Sequence, residues 1–258
     1  MSLTVGNHSS AASGSSSSLS TPGITTTAGS GLVLGLTYNG GTITSVTDNK
    51  GNAAPTQIGT ELGTTQKSRF YYIPNLTSAG AGHTFTVNLS AASFITLYVQ
   101  EVLANNANGI LLDQVNGAQD ASSPYGDSST ITTTIANEML VSVGHWQAGG
   151  LASPDTWTAG ASFTMQENQT NVASIISGAL GTRIVSATGT YNASWTMTQA
   201  TAAHVHIGSF SEGGANMRSL LGVGGMIRVV ALASLAHPQT RRDLFKSLAA
   251  CLVGPKGR

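Results

Sequence analysis

The stretch Gly31-Leu-Val-Leu-Gly-Leu-Thr-Tyr38, Asn39-Gly40-Gly41, Thr42-Ile-Thr-Ser-Val-Thr47 decides the fold. The first segment is an apolar run of strand length, too short for a core helix. The Asn-Gly-Gly that follows supplies residues that accept positive φ, as a tight hairpin turn requires. The second segment sets Ile43 and Val46 among hydroxyl side chains, which suits a half-buried strand. Asp48-Asn49-Lys50-Gly51-Asn52 then reads as a turn whose side chains bond their own backbone.

Working outward, residues 68–73, 83–89 and 94–102 repeat the pattern. His83-Thr-Phe-Thr-Val-Asn-Leu89 alternates strictly, with Phe85, Val87 and Leu89 on one face. Residues 129–135, 138–146, 161–167, 172–177, 181–187, 190–197 and 203–210 are further strands, with turn signals at short spacing and no helical run between them. That pattern predicts an all-β chain, a β-sandwich of jelly-roll-like or Ig-like topology over 24–210. Residues 1–23 are expected to hold one short strand, 3–7, and a Ser-rich linker. A weak internal repeat at an offset near 107 relates Ile24-Thr-Thr-Thr to Ile131-Thr-Thr-Thr, and Thr84-Phe85…Val102 to Thr190-Tyr191…Phe210. It is consistent either with two related halves, 24–102 and 131–210, or with the general likeness of Thr-rich hairpins.

Composition narrows the function classes. Of 258 residues only 9% are charged, while 31 serines and 32 threonines carry small hydroxyls. The single cysteine, Cys251, excludes an intrachain disulfide framework and a cysteine zinc site. The formal net charge is zero, which argues against nucleic acid as a partner. That zero conceals an asymmetry. Residues 1–210 hold four basic against nine acidic side chains, and residues 211–258 hold seven basic against two acidic ones. Met1 to Ser20 has neither the basic start nor the apolar run of a secretory signal.

Ile43-Thr-Ser-Val-Thr-Asp-Asn-Lys-Gly-Asn52 is similar to the SVTDxxGN turn of a group of phage and prophage virion-associated β-sandwich proteins. The resemblance continues through Phe70-Tyr-Tyr-Ile-Pro-Asn-Leu76, Ala136-Asn-Glu-Met-Leu-Val141 and Ser186-Ala-Thr-Gly-Thr-Tyr191 to a closing strand ending at Phe210. It departs at Ala53-Ala54 and at His204 and His206. It implies a structural or adsorption part of a virion (capsid decoration, head fibre, tail or tail fibre) and brings no catalytic residues with it.

Little in the sequence reads as chemistry, so no enzyme and no cofactor is expected. His204-Val-His206 places two imidazoles on one strand face, candidates for a metal site with His145, His83 or Glu212 as a third ligand. The balance of expectation is a polar strand face without metal. Glycoside hydrolysis needs paired carboxylates on rigid strands, and only Glu101, Glu138 and Glu167 sit on strands. No serine lies in a nucleophile elbow. Trp146 and Trp195 are expected in the core, and Trp157, in the loop 153–158, is the candidate glycan contact.

Residues 211–258 read as a basic, apolar helical tail, a short C-terminal extension. Arg218 and Arg228 within the apolar run 216–236 oppose a membrane span. Leu244, Phe245 and Leu248 share a helical face opposite Arg241, Arg242 and Lys246. Arg218, Leu220, Leu221, Arg228, Arg241, Arg242, Leu244, Phe245 and Leu248 are therefore the expected docking or oligomerisation residues. The resulting expectation is a non-enzymatic virion protein in a symmetric homo-oligomer that binds itself and other virion proteins. The alternative is an adsorption module that binds host-surface glycan.

Overall fold

The computed structural model describes residues 3–120, 125–147, 156–160, 162–172, 176–198 and 203–214. These residues are all-β and their strands pair antiparallel. The first half of the chain contributes β1 (Thr4–Ser20), β2 (Ile24–Thr26), β3 (Gly31–Asn39), β4 (Ile43–Asp48), β5 (Thr56–Leu62), β6 (Gln66–Ile73), β7 (Gly80–His83) and β8 (Phe85–Leu103). The second contributes β9 (Ile110–Asp120), β10 (Tyr125–Asp127), β11 (Ile131–Thr132), β12 (Glu138–Gln147), β13 (Trp157–Ala159), β14 (Thr164–Val172), β15 (Ile176–Val185), β16 (Thr190–Tyr191), β17 (Ser194–Met197) and β18 (Ala203–Glu212). The expected C-terminal helix and the whole docking set, Arg218 to Leu248, lie outside the described residues.

Two large sheets dominate, and they repeat one topology. The first runs β1-β8-β3-β6-β5, with β4 also on β8, and the second runs β9-β18-β12-β15-β14. The registers correspond as well. Leu32 pairs Glu101 between β3 and β8, and Leu140 pairs Ser209 between β12 and β18, each residue 108 positions later. The short pairs β2-β7 and β11-β16 also match. The weak repeat is therefore a repeat of strand order and register, which survives when most side chains differ because backbone pairing needs only alternation and turns.

Each large sheet is apolar on both faces, which explains the unbroken run 31–38. Leu32, Leu34 and Leu36 face a cluster closed by Val46, Phe85, Val87 and Leu89. Leu140, Ala179, Val205 and Ile207 of the second sheet face a cluster closed by Trp157, Trp195 and Met197. The opposite faces share a third cluster, in which Val33, Phe70, Tyr98 and Val102 meet Met139, Val141, Val143, Leu180 and Phe210. A strand buried on both faces has no polar alternation to show.

Contacts across the shared cluster are reciprocal. Gly35 and Val143 occupy equivalent positions and meet, since a Cβ on Gly35 would stand 2.5 Å from Val143 Cγ1. Ser68 Oγ lies 2.9 Å from His206 Nε2. The equivalent positions, Gly178 and Tyr98, also face each other, with a Cβ on Gly178 falling 2.7 Å from Tyr98 Oη. Contact of i with j repeated as j with i is the mark of a two-fold interface. The two halves thus pack as a homodimer would, within one chain.

The N-terminal expectation needs correction. Residues 8–20 are not a linker but belong to β1, which pairs along β8 from Thr4 opposite Leu103 to Ser20 opposite Thr86. Register shifts after Val5 and on either side of Ser16 take up its irregularity. Backbone bonds carry the pairing, and Ser, Ala and Gly are small enough to lie against the partner without a large side-chain pattern of their own. Of the segments 83–89 and 94–102, expected as two strands, His83 ends β7, and the rest from Phe85 onward forms one continuous β8 with exposed residues 90–92 in its middle. β5 and β9 were not anticipated.

Candidate functional site

Three sets of polar side chains inside the body carry the residue types of chemistry. The first grows from the turn after β4. Asp48 Oδ1 accepts the amides of Lys50, Gly51 and Asn52 at 2.8, 2.7 and 3.2 Å, and Oδ2 accepts Asn52 Nδ2 at 2.8 Å. Gly51, at φ 77, provides the left-handed step that lets successive amides converge on one oxygen. Asn52 Oδ1 then accepts the amides of Thr77 and Ser78, and Asn49 Oδ1 that of Thr84. Burial works to raise the Asp48 carboxyl, but the Asn52, Lys50 and His83 contacts outweigh it and hold it below the usual carboxylate range.

His83 Nε2 stands 3.3 Å from Asp48 Oδ2, and His83 Nδ1 lies 2.7 Å from Thr26 Oγ1. Hydroxyl, imidazole and carboxylate in line is the order of a nucleophilic triad. Yet Thr26 is only 4% exposed and His83 fully buried, and Phe85 stacks on the ring at 4.4 Å. No carbonyl reaches Thr26 without unfolding β2 from β7. The cluster fastens β2, β4 and β7 together. Asp48 is legible in the sequence as a turn residue, but only the fold brings Thr26 and His83 to it.

The second cluster lies between the large sheets. His204 and His206 sit on the inner face of β18, and His145 on β12 is the register partner of His204. All three are buried. His206 is held by Ser68 and stacks on Phe70 at 5.6 Å. His145 Nδ1 is 3.4 Å from Thr96 Oγ1, and its ring tilts against Tyr98 at 5.4 Å. His145 Nε2 and His204 Nδ1 have no hydrogen-bond partner among the described residues. Burial, and then the neighbouring imidazoles, push His145 well below the ordinary histidine value, and burial and His204 push His206 down to about 4. Burial alone lowers His204. Of the third ligands considered for a metal, His145 joins the pair. His83 belongs to the first cluster, and Glu212 accepts the Asn105 amide at the far end of β18. No group of three or more His, Cys, Asp or Glu among the described residues is arranged to hold a metal ion.

The third set consists of carboxylates at separate places in the two halves. Glu101 is fully buried and saturated, accepting Asn7 N at 3.1 Å, Thr27 N at 2.6 Å and Ser30 Oγ at 2.9 Å. At the equivalent place in the second half the two residue types are exchanged, with Glu138 for Ser30 and Ser209 for Glu101. There the acid is poorly served. Neither Glu138 oxygen has an aligned donor among the described residues, and burial followed by the nearby Asp113 carboxylate pushes it up to about 8. Asp113 is itself engaged by the Thr134 amide and hydroxyl. Glu167 accepts from Ser10 and pairs His8 at 2.6 Å. None of these carboxylates is set out as an acid and base flanking an open cleft.

The glycan expectation for Trp157 is overturned. Its ring is fully buried, Nε1 donates to Ser177 Oγ at 2.8 Å, and it meets Trp195 edge-on at 6.0 Å. The loop reading failed because β13 turns the residue into the second half's own core, where a low-aromatic chain needs volume. Trp146 and Trp195 are core residues as expected.

Compared with known proteins, the chain matches no family model, no curated protein and no solved structure.

Proposed function

We propose that this chain is a non-enzymatic structural component of a bacteriophage virion, a capsid decoration, head fibre or tail part that assembles as a symmetric oligomer. One observation carries the reading: among the described residues, the one hydroxyl, imidazole and carboxylate set lined up as a triad would be, and the saturated Glu101, are buried and spent on fastening strands. Thr26, His83, Asp48 and Glu101 all bind backbone or one another, and none presents a reactive atom to solvent. The turn that resembles those of virion β-sandwich proteins is itself such a fastening. The pairings β1-β8, β2-β7 and β3-β6 are nested, as are β9-β18, β11-β16 and β12-β15. Nested pairing supports two jelly-roll-like sandwiches placed back to back, an architecture common in capsid proteins. The burial of Trp157 removes the feature on which a glycan-binding module rested.

In this reading the sandwiches project and the basic, apolar segment beyond residue 214 anchors them to copies of the chain and to other virion proteins. Sedimentation of the full chain and of residues 1–214, both checked for β circular dichroism, tests it. The full chain is expected to sediment as an oligomer and the truncation as a folded monomer. A truncation that assembles as the full chain does would overturn the anchoring role.

A further inference from the structure

The shared core between the halves contains an asymmetry that its two-fold arrangement does not require. Positions Thr37, Thr96 and Tyr98 of the first sheet are equivalent to His145, His204 and His206 of the second, by the same 108-residue step that relates the registers. Hydroxyl side chains would serve both faces. Instead one face puts three imidazoles into an interface that also holds Val33, Phe70, Val143 and Leu180. Two ring nitrogens, His145 Nε2 and His204 Nδ1, are buried with no hydrogen-bond partner among the described residues, so a proton taken there is received by no group already placed to accept it.

Among the described residues, none that packs against the three rings supplies a counter-charge for that proton. β3 presents Gly35 and Thr37, β6 presents Ser68 and Phe70, and β8 presents Thr96 and Tyr98. The backbone of Gly63 closes on the His204 ring, and Gly117 of β9 on His206. Gly178 and Leu180 come from β15. Tyr98, whose ring lies against His145, stays neutral because burial raises it well above the ordinary tyrosine value. Glu167 of β14 acts on Tyr98 from beyond it and is already paired with His8. Asp120 stands opposite Ala203 at the end of β9. Glu61, Lys67 and Arg69 gather around Tyr38, which belongs to the first sheet's other face.

We propose that His145, His204 and His206 form an acid-sensitive latch between the two halves: protonation drives the sheets apart at their shared core, while each half keeps its own. The sign follows from the burial. Histidines held neutral when folded bind fewer protons than free ones, so the closed interface is favoured above about pH 6.5 and loses ground as pH falls below it. Each imidazole kept neutral at pH 5 favours the open form by about 30-fold.

Methionine oxidation by dilute peroxide, read residue by residue by mass spectrometry on the full chain, tests this directly. Met139 lies in the shared core, Met197 in the second half's own core, and Met165 is 39% exposed and supplies the intrinsic rate. Between pH 7.5 and pH 5, Met139 oxidation relative to Met165 is expected to rise by at least 30-fold while Met197 stays protected. The triple variant H145T/H204T/H206Y, which copies the first half's residues, should lose the response. If it does not fold, the single variant H206Y should reduce the response by about 30-fold or to nothing. An unchanged Met139 rate, a parallel rise at Met197, or the same acid response in the variants would overturn the latch.

Discussion

Single residues here act mainly through what they hold. Asp48 organises three backbone amides and touches His83, so Asp48→Ala leaves those amides and a buried imidazole unpaired. A loss of about 3 kcal/mol is expected in denaturant unfolding at pH 7. Its depressed carboxyl contributes stability above the ordinary carboxylate range, and that contribution is lost as pH falls below it. Glu138 has the opposite sign. A carboxyl raised to about 8 keeps its proton when folded, so its contribution is present below about pH 4.3 and is lost as pH rises through 8. Glu138→Gln should therefore be more stable than the parent by about 4 kcal/mol at pH 8, with the difference vanishing near pH 4, as thermal melts at both values would show. Trp157→Ala should cost about 3–5 kcal/mol through the cavity it leaves, whereas a surface glycan contact would cost almost nothing. At this scale the sequence was partly readable. The Asp48 turn announces itself through Asp, Gly and Asn spacing, but the exchange of Ser30 and Glu101 for Glu138 and Ser209 appears only once the registers are superposed.

At the scale of elements, legibility followed side-chain pattern. Strand 83–89 alternates and was evident, and β3 was evident as an apolar run between turn signals. β1 was not, because its serines and alanines show no periodicity and its order comes from backbone pairing to β8. That dependence makes a prediction. Deleting residues 1–20 leaves the edge of β8 unpaired, and an unpaired edge recruits other chains. The truncated protein is expected to aggregate or to melt well below the parent in scanning calorimetry, and a deletion with unchanged melting would show that β1 adds nothing. The loop placement of Trp157 failed for a related reason. Pro and Asp signalled a turn at 153–158, but a three-residue strand gives too little pattern to reveal which way its aromatic points.

For the molecule as a whole, the 107-residue offset in the sequence leaves two related halves and chance likeness of hairpins both open, and strand order and register show a repeated topology, with reciprocal contacts at Gly35 and Val143 and at Ser68 and His206. The two-fold packing explains why the sequence lacks charge. Both large sheets are buried on both faces, so few positions along β3, β8, β12 or β18 remain where a charge can stay in water. It also leaves the basic segment beyond residue 214 as the place where charge collects, opposite in sign to the body. The central claim is that such a chain exists to assemble. Native mass spectrometry of the full chain at low micromolar concentration measures this most directly: a single closed multiple of the 26.2 kDa protomer is predicted, and a monomer that persists as the concentration is raised would contradict it.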